Sequence, residues 1–281
     1  MGPITASATL ARRIDGVEAV LVSTMADAAR ADGEPEVVTW SIGGGTVALA
    51  GSGSPFNKAI AVGFDGPPDP EALAAIEAVH DARGCPLQVE LSTLASPEAA
   101  SALTGRGYRL VGFENVLARR LDDAAAPPPG AIAVQEAALE ERDLWIETLT
   151  DAFSQPDVFD GPPSHETFAR EALVTNFRRF CASPGVLALI ARIDGGVAGA
   201  ASLFVESGVA LLCGAATLPA FRRQGVQSTL LRTRLAAARA CGCDLAVVTT
   251  QPGSPSQANV QRAGFQLIYS RAVLVREPSP G

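Results

Sequence analysis

The run Ala216-Thr217-Leu218-Pro219-Ala220-Phe221-Arg222-Arg223-Gln224-Gly225-Val226-Gln227-Ser228 concentrates the residue types that can hold a phosphate. It lies between an apolar segment that reads as a strand and a segment with helical spacing. A helix starting there presents unpaired backbone N–H groups and the positive end of its dipole, both suited to an anion. Gly225 allows the backbone to approach that anion closely, and Arg222 and Arg223 supply charge and forked donors. Taken alone, an Arg-x-x-Gly spacing is equally that of an ordinary basic strand-to-helix turn. Metal chemistry is not expected. His80 and His165 are the two histidines, and Cys241 and Cys243, the one close pair among five cysteines, have a C-x-C spacing that makes a poor zinc or redox site.

The elements around this run can be read from pattern. The chain has 281 residues, 47% hydrophobic and 19% charged, enough for a packed core and too apolar for disorder. No apolar stretch reaches the roughly 20 residues that span a bilayer, and the start carries no secretory pattern. An odd number of cysteines suits reduced thiols, so a soluble cytoplasmic protein without a membrane partner is expected. Net charge is −8 with Lys58 the single lysine, a balance that does not suit nucleic acid. Asp122 to Gly130 contains three consecutive prolines and reads as a semi-rigid linker between residues 1–121, net −5, and residues 131–281, net −1. The less acidic second part is the better host for an anionic cofactor.

Within 131–281, strands are expected at 131–136, 186–193, 197–205, 209–217, 245–250 and 266–275, and helices at 140–153, 165–180, 227–240 and about 256–262. Asp194-Gly195-Gly196 reads as a hairpin turn. The two parts also repeat one another. Arg83-Gly84-Cys85 and Leu87 lie over Cys241-Gly242-Cys243 and Leu245, Ser96-Pro97 over Ser254-Pro255, and Gly107-Tyr108 over Gly264-Phe265 after a one-residue gap. The ordered set points to a duplicated fold.

The run at 216–228 resembles motif A of the GNAT superfamily, the GCN5-related N-acetyltransferases, where R/Q-x-x-G-x-G/A follows the fourth strand and opens the third helix. Here it reads Arg222-x-x-Gly225-x-Gln227, with Gln227 where glycine or alanine is usual. The resemblance extends over 131–277. It implies an α/β (α+β) fold of two GNAT-like domains, each a mixed, mostly antiparallel sheet flanked by helices, the first of them degenerate. It also implies acetyl-CoA as cosubstrate and a small-molecule amine as acceptor, in a monomer or homodimer. The implied cofactor-binding residues are Ala215, Ala216, Thr217, Leu218, Arg222, Arg223, Gln224, Gly225, Val226, Gln227, Ser228 and Asn259, with Cys213 to Ala216 nearest the thioester. Asp157, Phe159 and Asp160 fall in the loop that in such proteins admits the acceptor.

Two of the family's usual helpers are missing. The fourth strand has no acidic base, and Val260 stands where many members carry a tyrosine acid. Candidate substitutes are Glu206 acting through water, Ser254 near the leaving sulfur and Cys213 as an acylated nucleophile. Each has a plainer reading as a turn carboxylate, a helix cap or a core thiol. In the first part, Gly66-Pro67-Pro68-Asp69 takes the place of the phosphate loop, and proline and aspartate do not suit a phosphate. That part is expected to be a scaffold or substrate wall, although Ser52 to Lys58 is polar and glycine-rich enough to belong to an active site. The expected function is therefore acyl transfer from acyl-CoA to a small amine; the alternative is a non-catalytic acyl-CoA-binding regulatory or scaffold protein.

Overall fold

A computed structural model describes residues 2–122, 130–155, 161 and 167–279. The first part runs α1 (Ala8–Ala31), β1 (Val38–Ile42), β2 (Gly45–Leu49), β3 (Lys58–Ile60), α2 (Pro70–Ala82), β4 (Leu87–Ser92), α3 (Pro97–Gly105) and β5 (Arg109–Arg120). The second runs β6 (Ile132–Glu136), α4 (Arg142–Phe153), α5 (Arg170–Ala182), β7 (Val186–Ile193), β8 (Gly196–Glu206), β9 (Val209–Leu211), β10 (Ala215–Thr217), α6 (Val226–Ala240), β11 (Leu245–Thr250), α7 (Pro255–Arg262) and β12 (Gln266–Arg276). The hairpin joining β7 and β8 turns where expected, with φ of 50° at Asp194 and 82° at Gly195, the left-handed pair that a tight hairpin needs. Among the described residues no helix is long and apolar enough to cross a membrane.

All the strands join one mixed, mostly antiparallel sheet in the order β1-β2-β3-β4-β12-β5-β11-β9-β8-β7-β6, with β10 on β8. The last strand of each part is exchanged: β12 pairs with β4, and β5 pairs with β11. The exchanged strands pair with each other, Arg271 opposite Glu114, and each carries one bulged residue, Val111 and Ile268. These bulges are 157 positions apart, as are Glu114 and Arg271, and Gly107 and Gly264. The middle of the β5–β12 pair is thus an approximate two-fold centre.

Alternation along the strands builds a core on each face. Leu245 and Val247 of β11 pack with Ile14 and Val17 of α1 and with Trp145 and Leu149 of α4, while Ala246 packs with Leu230 and Leu235 of α6. On the same face as α6, Leu73 and Ile76 of α2 and Leu103 of α3 cover Leu87, Val89 and Leu91 of β4. Helix α1 lies across the opposite face and carries two acids, Asp15 and Glu18, into it.

Those acids meet charges from four strands. Arg271, with no exposed side-chain surface, donates Nη2 to Asp15 at 2.5 Å and Nη1 to Glu90 at 3.1 Å, and pairs with Glu18 at 2.7 Å. Lys58 Nζ bridges Glu18 at 2.9 Å and Glu90 at 2.8 Å. Tyr269 donates its hydroxyl to Asp15, and Glu114 stands 3.7 Å from Arg271. Burial pushes the Glu18 carboxyl up, but Arg271 and Lys58 together outweigh it and hold it at about 2. Glu114 is the opposite case. Burial, reinforced by Glu90, drives its carboxyl well above the usual range, and its Oε2 is buried without a hydrogen bond.

Two stability measurements test this cluster. Arg271→Met removes the shared cation, leaving Asp15 with the Tyr269 hydroxyl alone and Glu18 and Glu90 to share Lys58, so chemical denaturation at neutral pH is expected to read a loss of about 3–5 kcal/mol. Glu114→Gln acts with the other sign. The raised carboxyl of Glu114 contributes stability that is complete below its unfolded value, near 4.5, and is lost as pH rises through its folded value. Denaturation of Glu114→Gln against pH is therefore expected to give a stability advantage over wild type that grows above about pH 4.5 and shrinks below it.

Candidate active site

The segment expected to be one strand from 209 to 217 is two. Residues 209–211 pair in parallel with Leu245–Val247 of β11, and the last link is Leu212 N–H to Val247 O at 2.8 Å. At Gly214 φ is +35°, and beyond it β10 pairs only with β8, Ala215–Thr217 opposite Ala201–Gly199. The close approach of these strands requires glycine at 199, because a Cβ there would lie 2.6 Å from Ala216 O. The result is a wedge between β10 and β11. The edge of β10 turned toward the wedge has unpaired backbone groups, which an extended ligand can pair as an added strand would.

Helix α6 begins at the mouth of this wedge. Its N-cap, Gly225, has φ of +88°, makes no side-chain cap bond, and is followed by a first turn without acids. A Cβ at Gly225 would come no closer than 3.7 Å to Ile132, so the backbone conformation rather than space selects glycine. Arg223 is also left-handed, at φ 63°. Arg222 Nη2 donates to Gln155 O, which ties the loop between β10 and α6 to the end of α4.

Loop, wedge and helix start enclose a cleft of about 850 Å³. Of the residues expected to bind a cofactor, it brings together Ala215, Ala216, Thr217, Arg222, Arg223, Gly225, Val226, Gln227, Ser228 and Asn259. Leu218 and Gln224 stand outside its lining: Leu218 donates its N–H to Ala198 O, and the Gln224 side chain bonds Ala220 O. Ala152, Phe153 and Phe221 complete an apolar wall. Thr217 Oγ1 in the lining is buried and has no hydrogen-bond partner, an orphan that a polar ligand in the wedge would satisfy.

None of the candidate acid–base and nucleophilic residues lines the cleft itself. Glu206 ends β8 five residues beyond Ala201, about 17 Å along the strand, and accepts from the Ser207 hydroxyl. Ser254 is committed to capping α7, accepting from Gln257 N–H at 3.2 Å. Burial pushes the Cys213 thiol up to about 12, which leaves it protonated and a poor nucleophile. Asp157, Phe159 and Asp160 lie outside the described residues, as does His165. Ser52 to Ser54 line a separate cleft of about 380 Å³ against α5, and Lys58 is spent in the ionic cluster.

A side chain that the sequence reading passed over lies beneath the wedge. Arg234 is in register with the apolar face of α6, four residues after Leu230, and is buried there. Its signal was a charged residue at a core position of an amphipathic helix.

The first part has no equivalent of the α6 start. Helix α2 is capped by Asp69, whose Oδ2 accepts from Ala72 N–H at 2.8 Å, with Pro70 and Glu71 following. The N-caps align Asp69 with Gly225, two positions from the match suggested by the sequence repeat. A carboxylate thus takes the Ala72 N–H, and Pro70 has none to offer, where α6 leaves its first donors open.

Residues 145–265 match the acetyltransferase (GNAT) family. Among curated proteins no match to the chain was found. A GCN5-related N-acetyltransferase from Kribbella flavida superposes with a TM-score of 0.65 at 22% identity, over 96% of each chain. A tandem GNAT protein from the clavulanic acid biosynthesis pathway gives 0.60 at 15% identity, over 88% of this chain and 85% of that one. A GCN5-related N-acetyltransferase from Sphaerobacter thermophilus gives 0.55 at 20% identity, over 75% and 67%. The chain has the fold of the GCN5-related N-acetyltransferases, and the part of it that matches the acetyltransferase (GNAT) family holds the β10–α6 cleft.

Proposed function

We propose that the chain moves an acetyl or other short acyl group from acyl-CoA to a small-molecule amine by direct attack. The observation that carries this reading is the wedge between β10 and β11, which opens onto an uncapped helix start flanked by Arg222 and Arg223. The N–H groups following Gly225 would hold the pyrophosphate, with the two arginines adding charge. The open edge of β10 and the Thr217 hydroxyl would bond the pantetheine amides. That path carries the thioester toward the strand break at Cys213–Gly214, where a backbone N–H can polarise its carbonyl. In this reading the chain binds one acyl-CoA, residues 131–281 do the chemistry, and residues 1–121 serve as scaffold because the start of α2 is capped by Asp69 and carries Pro70 and Glu71.

A second reading, a non-catalytic acyl-CoA-binding protein, draws on one observation: no ready proton acceptor stands at the wedge among the described candidates, since Glu206 lies far along β8, Ser254 is engaged in capping α7 and burial holds the Cys213 thiol protonated. The two differ in turnover. An acyltransferase releases free thiol from acetyl-CoA in the presence of its amine; the binding protein does not, across a broad amine panel.

Thermal unfolding with acetyl-CoA tests the shared premise. At a hundredfold excess over Kd the ligand is expected to add about 2.7 kcal/mol of stability. The double variant Arg222→Ala, Gly225→Glu places a carboxylate at the anion site and is expected to lose that shift while keeping the fold. Unchanged acetyl-CoA affinity in the double variant contradicts the assignment.

A further inference from the structure

Arg234 is 3% exposed on the face of α6 that meets the sheet, in line with Val226 and Leu230. It has no carboxylate partner among the described residues. Its one hydrogen bond runs from Nη1 to Ser202 O at 3.3 Å, and Nε is buried with no acceptor. The contrast within the molecule is sharp. Arg271 is shared by Asp15, Glu18 and Glu90, and Arg179 by Asp32 and Glu34. Burial pulls the Arg234 guanidinium down to about 10, which still leaves it cationic at neutral pH. An unpaired buried cation is strongly unfavourable, and most such groups have an anion nearby.

Its place in the fold says which anion. Helix α6 connects β10 to the parallel strand β11 and so runs back down the sheet. Arg234 is eight residues below Val226, about 12 Å from the helix start. That depth is the level of the strand break. Ser202, whose carbonyl Arg234 holds, donates its N–H to Gly214 O at 3.0 Å and its hydroxyl to Cys213 O at 2.9 Å. Cys213 is the neighbour whose thiolate could pair with Arg234, but burial holds that thiol protonated, so it does not neutralise the guanidinium. A cation without a counter-ion thus stands behind the break toward which the acyl thioester would extend.

We infer that Arg234 is a fixed positive charge that stabilises the coenzyme A thiolate as it leaves. The inference rests on the acyl-CoA reading given above. The amine nitrogen forms a bond to the thioester carbonyl carbon, the carbon–sulfur bond breaks, and sulfur keeps the electron pair. The amine's surplus proton goes to water, and the thiolate is protonated by solvent afterwards. In a low-dielectric interior a nearby guanidinium lowers the thiol pKa, so the sulfur departs without a proton donor. Val260, buried at the position where related proteins carry a tyrosine acid, leaves that task open.

The test needs no acceptor. Free coenzyme A is bound to the full chain, and its thiol is titrated through the ultraviolet absorbance of the thiolate, with desulfo-coenzyme A as the blank for the protein's own cysteines. Calorimetry of coenzyme A binding and thermal unfolding accompany each variant. In wild type the bound thiol is expected to titrate at least about one unit below free coenzyme A. Arg234→Met is expected to bind coenzyme A with the thiol back at its free value, and to be no less stable than wild type, because it removes an unpaired buried charge. Arg234→Lys is expected to keep part of the shift. A wild-type thiol that titrates as it does free, or a shift that survives in Arg234→Met, overturns this inference alone. Failure of wild type to bind coenzyme A at all overturns it together with the acyl-CoA reading.

Discussion

The antiparallel pairing of β5 with β12 is the constraint from which the rest of the architecture follows. Each strand closes the open side of the other part's sheet: β5 lies against β11 and β12 against β4. With its far side supplied by β5, β11 needs its other neighbour only over Leu245–Val247, and β10 is free to turn away onto β8. The wedge that forms the candidate site is therefore affordable in a sheet that is held together elsewhere. The same pairing sets Arg271 against Glu114 at the approximate two-fold centre, where α1 delivers Asp15 and Glu18. A buried cluster of this kind is weak evidence for stability, but removing one member leaves uncompensated charge. It is better understood as fixing how α1 and the exchanged strands dock.

The approximate symmetry of the sheet makes the difference between its two helix starts informative. Helix α2 follows β3, which pairs in parallel with β4, and α6 follows β10, the continuation of β9, which pairs in parallel with β11. At α2 Asp69 takes the Ala72 N–H, with proline and glutamate between them. At α6 a left-handed glycine leaves the first donors open, and two arginines precede it. The two helix starts thus differ: one leaves its first donors open beside two arginines, and the other is capped by its own carboxylate.

Much of this was legible in residue order, because it depended on local rules. The Asp194-Gly195 turn, the periodicity of 227–240, the glycine at 225 and the Ser254 cap are short-range features. What the sequence concealed depends on distant residues. Lys58, Glu90 and Glu114 are scattered along the first part, and they meet Arg271 only because strands are exchanged. The same acids make α1 hard to read, since Asp15 and Glu18 interrupt its apolar stripe while facing inward. The break between β9 and β10 was signalled by Gly214 alone, inside a run apolar enough to read as one strand. Glu206 looked available in sequence because a strand end is near its own turn; its distance from the wedge follows from the β8–β10 register.

The central claim is that one acyl-CoA binds, in the wedge between β10 and β11. A crystal structure of the protein with coenzyme A tests it most directly. The account predicts pyrophosphate density on the backbone N–H groups following Gly225, pantetheine along the open edge of β10, and nothing at the start of α2. Coenzyme A bound against α2, or outside the wedge, would contradict it.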